Sequence, residues 1–184
     1  MPYEPLTRSH IVQALKRLAE LATAAGLELE LSLYGGAVFT LVYGSRDATK
    51  DIDAIIRPSA AAAPLIQQVA REQGLPDDWL NSQVSQFLAA REEKRLYPSE
   101  DFGPGLRISV PTAAYLLALK LHAARPSLPG YAGDEADIRF LLSRLRPATP
   151  AEAGAIYERF FPRDVLKARA AAIIADYFAN PPST

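Results

Sequence analysis

Near its start the chain alternates strictly between apolar and polar residues. In Leu27–Tyr34, leucine stands at every second position and is separated by glutamate, serine or tyrosine. A period of two predicts a β-strand with one buried face. Gly35-Gly36 interrupts the pattern, so we expect a tight turn there, where the lack of a Cβ lets backbone amides approach a ligand. The apolar segment Ala37–Tyr43 then predicts a short helix that ends at Gly44.

A second strand is predicted from Asp51 to Ile56, and it opens on two aspartates. Because side chains alternate across a strand, Asp51 and Asp53 are expected on one face, with their Cα atoms about 6.7 Å apart. Two acids on one face of a strand repel each other unless a cation or a basic side chain lies between them. We therefore favour a divalent metal site over a solvent-facing strand that happens to begin with two acids.

The remaining elements are mainly helical. Helical spacing and capping residues predict helices in segments 7–25, 59–73, 111–124, 134–145, 150–161 and 163–179. The expected N-caps of four of these helices are Thr7 or Ser9, Ser59, Asp134 and Thr149. A further strand is predicted at Leu106–Val110, and the indole of Trp79 is expected to be buried.

Together these elements predict a mixed α/β (α+β) fold with a small mixed sheet and flanking helices. We place an α/β core in residues 1–110 and a helical C-terminal part, packed on that core, in residues 111–184. The 184 residues are 49% hydrophobic, enough for a substantial core, and the net charge of -1 disfavours non-specific adhesion to nucleic acid. The absence of cysteine excludes disulfides and thiolate metal sites. Without an apolar span or a secretory leader, we expect a cytoplasmic protein.

The residues of the first block resemble a known motif. Gly35-Gly36, Arg46, Thr49, Asp51 and Asp53 are similar in type and order to the core of the nucleotidyltransferase superfamily, which includes DNA polymerase beta and kanamycin nucleotidyltransferase. Within that superfamily, the chain is most similar to the AbiEii-type toxin nucleotidyltransferases and their uncharacterised bacterial relatives.

The same relatives carry a second block further along the chain. It is a helix of the form K-L-x-A-x-R followed by an aspartate pair, and it is matched here by Lys120–Arg125 and by Asp134 and Asp137. The resemblance therefore covers most of residues 27–145. The second block is weak alone, but its order and spacing strengthen the first.

The resemblance implies an enzyme that moves a nucleoside monophosphate from an NTP to a hydroxyl group of an RNA, such as tRNA, or of a protein. Mg²⁺ or Mn²⁺ would be the cofactor, and a toxin role would imply an antitoxin as partner, with no membrane involved. Asp51, Asp53 and Lys120 are the implied catalytic residues, and the two aspartates are the implied metal ligands. Gly35, Gly36, Arg46, Thr49 and Lys120 are the implied nucleotide-binding residues.

Several of these residues have an ordinary structural alternative. The glycine pair by itself indicates only a tight turn, and Arg46 suits a loop salt bridge as well as a phosphate. Lys120 lies in an apolar helix and needs an anionic partner, which is either the nucleotide or Asp137. Asp134 is expected to cap its helix rather than to take part in catalysis.

One expected feature of an active nucleotidyltransferase is missing from the sequence. A third carboxylate is expected on the strand next to the aspartate pair, yet Arg107 and Ser109 occupy the corresponding face. Glu100 or Asp101 could serve only if that strand began earlier. A non-catalytic module that binds a nucleotide or a partner protein is therefore the alternative hypothesis.

Overall fold

The computed structural model describes residues 4–98, 102–129 and 131–181. The chain forms two compact units. The first consists of Met1–Gln86 and Arg95–Val110, and the second of Phe87–Lys94 and Pro111–Thr184. The second unit thus includes a short segment that precedes Pro111 in the chain.

A mixed five-stranded sheet forms the centre of the first unit, which confirms the predicted α/β class. The strands are β2 (Leu29–Leu33), β4 (Ile52–Arg57), β5 (Leu80–Asn81), β6 (Lys94–Leu96) and β7 (Leu106–Pro111). Their spatial order is β5-β4-β2-β7-β6. Strand β2 is antiparallel to β4 and parallel to β7, and β5 is parallel to β4. Two short strands, β1 (Leu6–Thr7) and β3 (Ala48–Thr49), form a separate antiparallel pair.

The alternation that predicted the strands appears as alternating burial. In β2, the leucines at 29, 31 and 33 are buried, Glu30 is exposed and Ser32 is half-buried. In β7, Leu106, Ile108 and Val110 are buried, whereas Arg107 is exposed. The period of two therefore identified both strands, although β2 begins two residues later than predicted.

Two long helices accompany this sheet in the first unit. Helix α1 (Arg8–Ala24) is capped by Thr7, whose hydroxyl accepts a hydrogen bond from the N–H of His10. Helix α3 (Ser59–Gln73) ends at Gly74 as predicted, but Pro58 occupies the N-cap position, so the prediction that Ser59 caps this helix is wrong. The helix also continues through Pro64, an exposed position where water can reach the carbonyl that proline leaves without a donor.

The second unit is helical. It contains α4 (Ala113–Ala123), α5 (Glu135–Leu145), α6 (Pro150–Phe160) and α7 (Ala168–Ala179). Helix α7 begins five residues later than predicted, because a turn closed by the Asp164 N–H and the Phe161 carbonyl occupies the start of the predicted segment. Across the described ranges, no helix combines the length and the apolar character needed to cross a bilayer.

Candidate functional site

The glycine pair begins a helix instead of forming a separate turn. Helix α2 spans Gly35–Val38 and continues as a π-helical segment, Phe39–Tyr43, which ends at Gly44. The predicted helix therefore starts two residues earlier than expected. Gly35 has a φ of 57°, a left-handed conformation that favours glycine and lets the chain turn directly from β2 into the helix.

Both glycines pack against residues that the sequence marked as functional. A Cβ atom on Gly35 would lie closer than 3.0 Å to Oδ2 of Asp53, and one on Gly36 would lie equally close to Oγ1 of Thr49. The same Gly36 position is 3.5 Å from Nη1 of Arg46. The absence of a side chain at these positions is therefore what allows Asp53, Thr49 and Arg46 to approach the start of α2.

Asp51 and Asp53, at the start of strand β4, are held beside the glycine pair by backbone hydrogen bonds. The structure begins β4 at Ile52, so Asp51 precedes the strand by one residue, which corrects the predicted boundary. The hydroxyl of Thr49 donates to the Asp51 carbonyl at 3.2 Å. The Asp53 carbonyl accepts from the N–H of Tyr34 at 2.8 Å, which fixes the end of β2 beside the aspartate pair.

Asn81 is a member of this site that the sequence did not identify. Its Nδ2 donates to Oδ2 of Asp51 at 3.3 Å, and its position in β5 is in register with Asp53 of β4. The only signal in the sequence was its position two residues after Trp79, whose buried indole donates to the Ile66 carbonyl. We define the Gly–Asp cluster by its members, which are Gly35, Gly36, Arg46, Thr49, Asp51, Asp53 and Asn81.

The donor groups of the Gly–Asp cluster fit a magnesium ion. Mg²⁺ is usually bound by one or two carboxylates, with substrate phosphates and water completing its octahedron. Asp51 and Asp53 are both half-buried, so a ligand can reach their carboxylates from solvent. The space that a Cβ would take at Gly35 is filled by the Asp53 carboxylate, so the glycine lets this carboxylate lie against the start of α2.

A complete three-acid site is not found in the described part of the chain. No group of three or more His, Cys, Asp or Glu side chains there could hold a metal. On the face where a third acid is expected, the hydroxyl of Ser109 in β7 lies 2.9 Å from that of Ser32 in β2. Glu100 and Asp101, the remaining candidates, lie outside the described residues.

Lys120 belongs to the second unit, where it is buried between two carboxylates. Its Nζ lies 2.7 Å from Oδ1 of Asp134 and 2.8 Å from Oδ2 of Asp137, and only 5% of the residue is exposed. A buried lysine was expected to have an anionic partner, and this is confirmed. Lys120 has two such partners, and Asp137 is one of them. The assignment of Lys120 to nucleotide binding or catalysis stays a prediction.

Asp134 does not cap α5 with its side chain, contrary to the sequence prediction. Its carboxylate instead accepts hydrogen bonds from the backbone N–H and the guanidinium of Arg125, from the Tyr131 hydroxyl and from Lys120. Burial opposes ionisation of this group, but the hydrogen bonds from Arg125 and the charge of Lys120 hold the pKa of Asp134 well below its usual value. These contacts close the loop between α4 and α5.

The steric requirement at Gly36 leads to a stability prediction. We expect Gly36→Ala to lower the free energy of unfolding by about 1–3 kcal/mol, the usual cost of an overpacked site. The new Cβ would displace Thr49, so Gly36→Ala combined with Thr49→Ala should lose less than the sum of the two single variants. Urea denaturation of all three variants measures this coupling.

Gly154→Ala is the matched control for this experiment. Gly154 lies in α6, and a Cβ there would meet nothing within 4 Å. Alanine favours a helix interior by about 0.5–1 kcal/mol over glycine, so this variant should be slightly more stable than the wild type. Strict additivity of Gly36→Ala and Thr49→Ala would contradict a contact between those two positions.

Comparison with models of protein families, with curated protein sequences and with solved structures finds no match to this chain. The resemblance to nucleotidyltransferases thus rests on the motif residues alone. The geometry of the Gly–Asp cluster must therefore support any functional conclusion independently.

Proposed function

We propose that this protein is a magnesium-dependent nucleotidyltransferase that moves a nucleoside monophosphate from an NTP to a hydroxyl group of an RNA or a protein. The observation that carries the proposal is the packing of Gly35 and Gly36 against Asp53 and Thr49. Two glycines that cannot be replaced without a clash lie beside two half-buried carboxylates. That combination suits a polyphosphate, because backbone amides can approach its oxygens while the acids hold its metal ion.

Each member of the Gly–Asp cluster has a role in this proposal. Asp51 and Asp53 would hold Mg²⁺, which when bound neutralises phosphate charge and favours in-line attack at the α-phosphorus. Asn81 orients the carboxylate of Asp51 through its amide, and Thr49 fixes the backbone of the same residue. Arg46 would contact phosphate oxygens, and its guanidinium lies 5.6 Å from the centre of the Phe39 ring, which limits its motion.

A non-catalytic nucleotide-binding module is the second candidate, and one observation favours it. The face of β2 and β7 where a third acid was sought holds the hydrogen-bonded pair Ser32 and Ser109. A site with two carboxylates can bind Mg²⁺ and a triphosphate without activating an acceptor hydroxyl. Under this hypothesis the protein binds an NTP with Mg²⁺ but transfers nothing.

Position-specific radiolabels distinguish these functions. The protein would be incubated with Mg²⁺, total tRNA, a bacterial protein extract and each of the four NTPs, labelled with ³²P at the α or at the γ position. Nucleotidyl transfer leaves the α label on an acceptor and releases the γ label as pyrophosphate. Digestion with ribonuclease or with protease then shows whether the labelled acceptor is RNA or protein.

The outcomes of this assay separate the hypotheses. We expect α label on a macromolecule, and addition of EDTA should abolish it. Label transferred only from the γ position would indicate a kinase and contradict the proposal. Magnesium-dependent NTP binding with no transfer to any acceptor would favour the non-catalytic module, and no binding of any NTP would exclude both. If transfer is found, growth arrest on expression in bacteria tests the toxin role that the resemblance implies.

A further inference from the structure

Strand β4 is paired along only part of the edge that faces away from β2. Strand β5 pairs with β4 at Ile52 and Asp53 and then ends at Asn81. It ends there because the N–H of Gln83, which would continue the ladder, donates to Oδ1 of Asn81 at 3.0 Å. A 3₁₀ helix, Gln83–Phe87, follows. Among the residues that the structure describes, no strand therefore lies beside residues 54–57 on this side.

The backbone of this open edge presents hydrogen-bonding groups in the pattern of a strand. The Asp53 carbonyl bonds to the Tyr34 N–H of the β2 segment, and neighbouring residues of a strand point their backbone groups in opposite directions. The groups of Ile55 and Arg57 are thus directed toward β2, where these residues pair with Ser32 and Glu30. Both backbone groups of Ile56, which is half-buried, are directed toward the open edge. The Ala54 carbonyl points the same way but is covered, because Ala54 is only 1% exposed.

A groove of about 900 Å³ follows this edge. Ile55 and Ile56 both line it, although successive side chains of a strand point to opposite faces. The groove therefore runs along the rim of the sheet rather than over one face. Ser59 and Ile66 of α3 also line it, and so does Asn81, whose amide contacts Asp51. By the register of β4 and β5, Arg57 lies at one end of the groove and the Gly–Asp cluster at the other.

We propose that this edge binds an extended peptide segment of an acceptor protein, which adds a strand beside residues 55–57 and presents a hydroxyl side chain at the Gly–Asp cluster. Peptide binding is inferred from the unpaired backbone groups of the β4 edge, whereas the acceptor role rests on the proposed nucleotidyl transfer. In that reaction, the peptide hydroxyl oxygen bonds to the α-phosphorus of the NTP. The bond from this phosphorus to the oxygen that bridges to the β-phosphate breaks, pyrophosphate leaves and the hydroxyl proton passes to solvent.

The charge of the groove favours a peptide over RNA. Beyond the open edge, its polar lining consists of neutral side chains, namely Ser59, Asn81, Ser82, Gln83, Ser85 and Gln86. Arg57 is the one basic residue among the described lining residues. At the opposite end the lining residue Asn81 contacts Asp51 of the acidic pair. RNA carries a negative charge at every phosphate and is bound through several lysines or arginines. An added peptide strand requires instead main-chain hydrogen bonds and small pockets for alternate side chains, which this edge offers.

The test uses fluorescent nine-residue peptides with serine, threonine or tyrosine at the central position and degenerate flanking residues. We expect fluorescence polarisation to show that this pool binds the full-length wild-type protein. The same pool, with N-methyl groups at successive backbone nitrogens of the central residues, should bind about tenfold more weakly, because methylation on both edges of the peptide removes the donors that an added strand requires. Since this comparison uses only the wild-type protein, no folding defect can affect it.

A pair of tryptophan variants tests the location of the bound peptide. Ser85→Trp would fill the groove and should reduce peptide affinity at least tenfold, whereas Ala63→Trp, at an exposed position of α3 outside the groove, should not. Equal affinity of the N-methylated pool, or of the Ser85→Trp protein, would overturn the docking.

Labelling of the peptides by α-³²P NTPs tests the acceptor role separately. Transfer to the unmethylated pool supports it, whereas transfer to total tRNA but to none of the peptides overturns it and leaves nucleotidyl transfer intact. NTP affinity is also measured in the absence of peptide. If the protein binds no NTP in that measurement, the proposed function itself has failed. Peptide binding without any NTP binding would support the docking and remove the acceptor role.

Discussion

Replacement of Lys120 by methionine is expected to lower the free energy of unfolding by about 3–5 kcal/mol, the usual cost of removing one partner from a buried ion pair. Lys120 is 5% exposed and lies within ion-pair distance of both Asp134 and Asp137. Methionine keeps the apolar stem but removes the positive charge that offsets the cost of burying these two carboxylates. Since a typical domain is stable by only about 5–15 kcal/mol, the loss would be severe.

Urea denaturation of the purified variant measures this effect. Lys16→Met is the matched control, because Lys16 is exposed on α1 and its loss should change stability little. Combining Lys120→Met with Asp137→Leu should recover part of the loss, since a buried pair can be replaced by apolar side chains. Asp134 would keep its hydrogen bonds from Arg125 and Tyr131 in that double variant. A single variant that lost less than about 1 kcal/mol would indicate that the ion pairs contribute no more than a surface pair.

The same variant separates a structural role of Lys120 from a nucleotide-binding role. NTP affinity would be measured for the folded fraction, at a temperature well below the unfolding transition. Unchanged affinity in the folded protein would leave Lys120 with a structural role alone. A loss of affinity that the Asp137→Leu combination does not restore would support the additional contact with the nucleotide.

Asp51→Asn and Asp53→Asn are each expected to weaken magnesium-dependent NTP binding by about 100-fold, which corresponds to about 2.7 kcal/mol. Each change removes one negative charge from a site where two carboxylates would hold the ion. Without magnesium, both variants should remain folded, because the two side chains are half-buried and asparagine is close to aspartate in size. Asparagine at position 51 also keeps an oxygen that can accept from Asn81.

Isothermal titration with each NTP, in the presence and absence of Mg²⁺, measures these affinities. Asp77→Asn provides the control, because Asp77 is an exposed acid outside the Gly–Asp cluster, and its carbonyl accepts from Gln67 of α3. NTP affinities equal to that of the wild type in both aspartate variants would exclude the metal site. Unfolding of both variants without magnesium would instead assign the two acids to structure.

The strands and most helices could be predicted from the sequence because their signals are local. The alternating leucines of β2 and the apolar residues of β7 are buried on one side whatever the details of the fold. Helix α3 ends at the predicted residue, since Gly74 adopts the left-handed conformation that terminates a helix. The residues of the Gly–Asp cluster could mostly be named in advance because six of its seven members lie within 19 consecutive residues.

Contacts between distant residues were decided only by the tertiary structure. Asn81 contacts Asp51 across 30 positions, because β5 pairs with β4 and brings the amide beside the acid. Asp134 has the local signature of a helix cap, yet its carboxylate bonds to Lys120 and Arg125. Local pattern sets which backbone conformation and which face are favourable, whereas the partner of a polar side chain depends on which groups folding brings within hydrogen-bonding distance. The open edge of β4 could not be predicted for the same reason, because the sequence does not show where a neighbouring strand stops.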